Sequence, residues 1–260
     1  MTSSRRDFLK IAGASALTLV TPTIFLPAWA KDVIVIPPGQ SLAPVKSPAA
    51  RRWAMAVDLT KCAADCNDCI AACHAIHNVP AFGNSKDEIK WIWKESFASV
   101  FPGETHAYSG EKLQKLRPPV FCNHCENPPC VRVCPTRATF RRSDGIVMMD
   151  YHRCIGCRLC MAACPYGARS MNYRDPRPFI SNIHSDFPTR TKGVVEKCNF
   201  CEERLAKGML PACVEACRQK ALVFGDADDP RSEIRRLLKT RFSLQRRAHL
   251  GTGPQIYYWL

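Results

Sequence analysis

The sequence predicts an α+β fold: two small cysteine-centred modules with inserted loops and a C-terminal extension. Three observations carry that prediction. The sixteen cysteines of the 260-residue chain fall into four groups of four with none left over. These are Cys62, Cys66, Cys69 and Cys73; Cys122, Cys125, Cys130 and Cys134; Cys154, Cys157, Cys160 and Cys164; and Cys198, Cys201, Cys213 and Cys217. The chain also repeats itself around them. CPTRATF, CPYGARS and CRQKALV align from the fourth cysteine of the last three groups, and DLTKC, DYHRC and VVEKC end on the first cysteine of groups one, three and four. Finally, TFRRSDGIVMMDYHRC joins groups two and three as a hairpin, with a turn at Ser143, Asp144 and Gly145 and a short strand at IVMMD.

Taken in chain order, the first element is a leader. SSRRDFLK is followed by a mostly apolar run over residues 11–26, then AWA at 28–30 and Lys31. Basic, apolar and A-x-A regions in that order read as a secretory signal cleaved after Ala30. Arg5 and Arg6, followed by Phe8 and Leu9, direct it to the twin-arginine route. The rival reading is a retained transmembrane anchor, but Pro22 and Pro27 interrupt the run and Ser15, Thr18, Thr21 and Thr23 dilute it. Residues 1–30 are therefore expected to be a signal and 31–52 a linker. No other segment is apolar and long enough to span a bilayer, so the expected mature chain is periplasmic with no transmembrane helix of its own.

Exported cysteine-rich chains usually carry disulfides. Here the chain is large enough, at 46% hydrophobic residues, to bury a core without staples, and C-x-x-C pairs are poorly placed to act as staples. Zinc is the stronger rival, since four all-cysteine tetrahedral sites would also use sixteen thiolates. Zinc knuckles, however, come as separated pairs. Cys154, Cys157, Cys160, Cys164 and Pro165 follow the C-x2-C-x2-C-x3-C-P run of bacterial ferredoxins, in which three closely spaced thiolates meet one iron–sulfur cluster and the fourth ligates its neighbour. The proline starts a new extended segment. Group two is the variant C-x2-C-x4-C-x3-C-P, its loop widened by Asn127, Pro128 and Pro129.

The four-group order over residues 53–260 resembles the four-cluster ferredoxin-like subunits of polysulfide, nitrite, tetrathionate and DMSO reductase complexes. The insert DEIKWIWKESFASVFPGE and the tail LGTGPQIYYWL most resemble the branch associated with dissimilatory sulfite reductase. The resemblance implies two bacterial-ferredoxin-like modules, each holding two 4Fe-4S clusters. The outer module would comprise 53–77 and 194–225, and the inner one 119–175, with an insertion at 78–118 and an extension at 226–260. It implies crosswise ligation: Cys62, Cys66 and Cys69 with Cys217; Cys198, Cys201 and Cys213 with Cys73; Cys122, Cys125 and Cys130 with Cys164; and Cys154, Cys157 and Cys160 with Cys134. Two departures stand out. Group one opens C-x3-C, and groups one and four have His74 and Arg218 where the others have proline. The implied partners are an integral membrane quinone-interacting subunit and a multihaem cytochrome c or other redox subunit. Their setting would be sulfur or sulfite metabolism at the outer face of the cytoplasmic membrane. The alternative is the iron–sulfur subunit of a hydrogenase, polysulfide, tetrathionate or nitrite type complex.

Other features weigh less. CIAACH at 69–74 is one residue too wide for c-type haem attachment and would strip two cluster ligands. His77, His124 and His152 sit beside cysteine groups and read as packing or hydrogen-bonding residues. Trp91 and Trp93, with Ile89, Ile92 and Phe97, form either an exposed docking stripe or the core of a small insert. The net charge of +14 reads as counter-charge for metal: Arg5, Arg6 and Lys10 against Asp7 contribute two of it, while four oxidised clusters with their thiolates bring about −8. Positive charge and hydrogen bonds near a cluster raise its potential. No aromatic-interleaved basic groove points to nucleic acid. With all sixteen cysteines used as ligands and no glycine-rich nucleotide loop, the chain reads as an electron wire. An iron–sulfur enzyme would need an incompletely ligated cluster.

Overall fold

The computed structural model describes residues 52–106 and 108–260. The signal and all but the last residue of the linker lie outside the described residues. Strand β1 (Trp53–Asp58) reads as a nearly continuous apolar run because both of its faces are covered. The two-residue period sends Ala54 and Ala56 to one face, against Ile234 and Trp259, and Met55 and Val57 to the other, against Cys69 and Cys73. The first cysteine group follows in a loop and helix α1 (Asp68–Ile76). The insertion then supplies β2 (Ile92–Lys94), α2 (Phe97–Val100) and α3 (Glu111–Lys115), and β2 pairs antiparallel with β3 (Pro119–Phe121).

Group two leads into α4 (Pro129–Arg132), and the expected hairpin follows as β4 (Thr139–Arg141) and β5 (Val147–Met149), with Thr139 opposite Met149. Group three leads into α5 (Leu159–Ala162), after which β6 (Ser170–Met171) pairs with β7 (Val195–Glu196). Group four spans α6 (Glu202–Leu205) and α7 (Ala212–Glu215) and runs into β8 (Leu222–Asp226). Helix α8 (Glu233–Thr240) and strand β9 (Ile256–Trp259) close the chain. The principal sheet has the order β8-β1-β9, antiparallel on one side and parallel on the other. Among the described residues no helix is long and apolar enough to cross a membrane.

The tail is more than an appendage. β9 lies in register with β1, Met55 opposite Ile256. Ahead of it, Glu126 and Asn127 donate their backbone N–H groups to the carbonyls of Gly253 (2.8 Å) and Thr252 (2.9 Å), and Gln255 donates to Asn123 (2.8 Å). The close approach explains Gly253: its φ is +62°, and a Cβ there would sit 2.8 Å from that of Glu126. The insertion is equally internal. Ile89, Trp91, Ile92, Trp93 and Phe97 are all buried, so the aromatic stripe is core and presents no exposed face. Phe101 of the insertion packs edge-on against Tyr258 of the tail.

Candidate metal centres

The internal repeat becomes a repeated piece of geometry. In the last three groups the third cysteine lies inside a one-turn helix and the fourth follows four residues later, just beyond the helix end. In group one a longer helix contains both Cys69 and Cys73. The residue three beyond the fourth cysteine, Arg137, Gly167 or Lys220, takes positive φ, and its N–H returns to the cysteine carbonyl. The next residue is always alanine, Ala138, Ala168 or Ala221, each 1% exposed. Ala221 N–H donates to Cys217 Sγ at 3.2 Å, and the N–H groups of Ala138 and Ala168 favour the charged forms of Cys134 and Cys164. Sequence reasoning passed over this alanine, although the aligned repeats contained it.

None of the sixteen cysteines is in a disulfide, and the fold brings them together in fours. One cavity is lined by Cys62, Cys66, Cys69 and Cys217 (set one). Buried Cys73 neighbours Cys198, Cys201 and Cys213 (set two). A second cavity holds Cys122, Cys125, Cys130 and Cys164 (set three), and a third holds Cys134, Cys154, Cys157 and Cys160 (set four). Each set draws three cysteines from one group and one from another. The sets form a row: Cys160 and Cys130 flank Arg169, Cys122 neighbours Cys198, and Cys213 neighbours Cys69.

Their electrostatics ask for a cation. Burial pushes Cys69 up to about 11, with Cys62 adding to it. Burial, reinforced by Cys122, pushes Cys125 and Cys198 up to about 12. Burial raises Cys130 to about 11. Burial, then the neighbouring thiols, drives Cys73 and Cys213 further, while Cys62 and Cys164 rise for the same first reason. Cys134 goes the other way: burial opposes its charge, but N–H donors of Thr139, Thr136 and Ala138 and the Thr136 hydroxyl outweigh it. In sets one, two and three, buried thiols whose charge is disfavoured would become thiolates when bound iron supplies the positive charge. Four cysteine sulfurs per cavity are the soft donor set that iron–sulfur clusters take.

The flanking histidines divide as their burial dictates. His77 is wedged between the Cys73 carbonyl (Nδ1, 2.9 Å) and Glu203 (Nε2, 2.9 Å), with Nδ1 3.5 Å from Cys73 Sγ. It stacks on Trp91 at 4.4 Å. His124 stacks on Phe200 at 3.7 Å and accepts the Val147 N–H. Burial first, then Lys197 and Arg169, holds it far below the ordinary histidine range, so it is neutral. His152 is exposed. Beneath set two lies a network that no motif announced. Fully buried Glu196 pairs with Arg190 at 2.6 Å, accepts from Trp91 Nε1 at 2.9 Å, and also bonds Asn172. Arg190 in turn donates to the carbonyls of His77 and Asn78.

Comparison with known proteins agrees with this architecture. Residues 114–177 and 183–227 match the 4Fe-4S dicluster domain. The chain is 41% identical to the Hdr-like menaquinol oxidoreductase iron–sulfur subunit 1 of Archaeoglobus fulgidus, over 98% of this chain and 97% of the relative. It is 34% identical to the menaquinone reductase iron–sulfur cluster-binding subunit of Nitratidesulfovibrio vulgaris, over 80% and 88%. It is 36% identical to a tetrathionate reductase subunit of Salmonella typhimurium, over 80% and 72%. The chain is thus a 4Fe-4S protein and belongs to the family of iron–sulfur electron-transfer subunits of oxidoreductase complexes.

Proposed function

We propose that the sixteen cysteines bind four 4Fe-4S clusters crosswise, one per set, and that the row conducts electrons. The observation that carries this is the composition of the three cavities, each lined by three cysteines of one group and the fourth of another. Sets one and two belong to the outer module (53–77 with 194–225) and sets three and four to the inner module (119–175). Residues 78–118 and 226–260 brace the two. EPR of reduced variants tests the scheme. Cys134→Ser and Cys157→Ser are expected to alter one signal and Cys125→Ser and Cys164→Ser another, because a serine oxygen holds iron less well. Perturbation of the Cys125 signal by Cys134→Ser, with the Cys157 signal untouched, would falsify crosswise ligation.

In this reading the chain is exported by the twin-arginine route, with residues 1–30 as signal. It works at the periplasmic face of the membrane, between a quinone-interacting membrane subunit and a multihaem cytochrome c or other redox subunit. The menaquinol oxidoreductase relative supports the quinone partner, and the tetrathionate reductase relative supports a place in sulfur or sulfite metabolism. Cell fractionation of the variant with both Arg5 and Arg6 replaced by lysine is expected to find cluster-loaded chain in the cytoplasm. Normal export of that variant would rule the route out.

A further inference from the structure

Arg169 is a buried cation that the ligand pattern does not use. It stands five residues beyond Cys164, where the two aligned repeats carry Thr139 after Cys134 and Leu222 after Cys217. It is 4% exposed. A guanidinium in the place of a threonine or a leucine is costly to bury unless negative charge lies beside it. Among the described residues no carboxylate pairs with it. Its Nη2 donates to Thr139 Oγ1 and lies 3.2 Å from Met149 Sδ, while buried Nε and Nη1 meet no oxygen or nitrogen acceptor and the guanidinium faces the Cys160 sulfur. Of the other buried cations nearby, Arg190 is committed to Glu196 and Lys197 to the carbonyls of Val147 and Cys198, while Arg246 lies over the Tyr166 ring, which lines the set-three cavity.

Its position is between two sets. Arg169 lines the cavity of Cys122, Cys125, Cys130 and Cys164, and Met149, which it touches, lines the cavity of Cys134, Cys154, Cys157 and Cys160. Burial opposes its charge, whereas Cys130 and Cys122 of set three and Cys160 of set four favour it. We propose that Arg169 is a potential-setting residue whose fixed positive charge, shared by sets three and four, stabilises the reduced form of both clusters over those of sets one and two. The inference rests on the four-cluster reading above. The physics is direct. Each cluster gains one electron on reduction, and a fixed cation in a low-dielectric interior lowers the energy of the added charge.

The test is an EPR-monitored redox titration of the cluster-loaded full chain, with set three assigned through Cys125→Ser and set four through Cys157→Ser. Arg169→Gln is expected to lower the reduced-to-oxidised ratio of set three at least about tenfold at a fixed potential, a fall of about 59 mV for one electron. Set four should fall in the same direction and sets one and two should hold. Arg169→Lys, which keeps the charge, should leave all four near their native values. Unmoved midpoints in Arg169→Gln, an equal fall in all four sets, or a fall in Arg169→Lys as large as that in Arg169→Gln would each overturn the proposal. If Arg169→Gln fails to hold the inner clusters, Arg169→Lys decides: four clusters at native potentials support the charge role, and loss of the same clusters overturns it. Iron counting separates the two readings. A native chain with fewer than about sixteen irons defeats the four-cluster reading, whereas a full complement with unmoved midpoints defeats only the role of Arg169.

Discussion

Sets two and four use the same kind of donors but are supported in different ways. Around set four the supports are local. Gly156 and Arg158 take positive φ, and Cys134 is held by N–H groups of Thr139, Thr136 and Ala138 and by the Thr136 hydroxyl. Cys157 is exposed. Around set two a similar local backbone, with Phe200 and Cys201 at positive φ and the Phe200 N–H donating to Cys198 Sγ, is joined by side chains from distant segments: His77 and Glu203, and below them Glu196, Arg190 and Trp91. Set four rests on the conformation of a short loop, whereas set two adds to its loop a polar network assembled across more than a hundred residues. The first kind of support fails locally and the second fails through packing.

That contrast can be broken most sharply at Gly156. Its φ is +67°, and a Cβ would collide with the Gly193 carbonyl and lie 3.0 Å from Met171 Cε. On the proposed four-cluster reading, Gly156→Ala is expected to abolish the set-four cluster, about four irons per chain, while the EPR signals of the other sets persist. Loss of all four at once would show that the loop is not an independent support. Trp91→Phe addresses the other kind. It keeps an aromatic ring but removes the donor to buried Glu196, leaving a charged acceptor short of one partner, at about 1.5–3 kcal/mol. Bleaching of the visible iron–sulfur absorbance on heating should come earlier, with set two releasing iron first. Unchanged bleaching would mean that Arg190 and Asn172 suffice. The smallest effect is expected at the set-one end. Arg218 bridges Asp68 at 2.8 Å but is exposed, and exposed pairs contribute little. Arg218→Ala should leave iron content and heat resistance as they were, and a measurable loss would mark that end as more structured than its exposure suggests.

Legibility in the sequence follows the same division. Cysteine spacing, the trailing Pro135 and Pro165, and the Asp144–Gly145 turn are local, so the hairpin and the grouping in fours can be read directly. Trp91 and Trp93 are ambiguous because an aromatic stripe looks the same whether it faces solvent or a partner element. Only the antiparallel pairing of β2 with β3 and the stacking on His77 decide it. Glu196 and Arg190 are invisible, since nothing in a single carboxylate announces a partner elsewhere in the chain. The tail reads as a mere extension because parallel pairing of β9 with β1 joins Met55 to Ile256, beyond the reach of any local signal. The alanine after each fourth-cysteine turn is legible in principle: it recurs in all three aligned segments, and a donor that must approach a sulfur leaves no space for a larger side chain.

The lining of the first cavity by Cys62 and Cys217 together has a consequence for how the molecule is made. Strand β1, the opening cysteine loop and α1 leave the ribosome early, yet their cavity has no fourth wall until the last cysteine of the chain has been synthesised. The inner pair of cavities takes its cysteines from residues 122–164 and can close first, so assembly is nested: the middle of the chain matures while its beginning waits for its end. Joining ends so far apart carries an entropy cost that grows only slowly with loop length. The sharper cost is temporal, since four early thiols stay open to oxidation or to stray metal for the whole interval. A chain built in this order gains from completing its cavities in a reducing compartment, where the waiting thiols stay reduced.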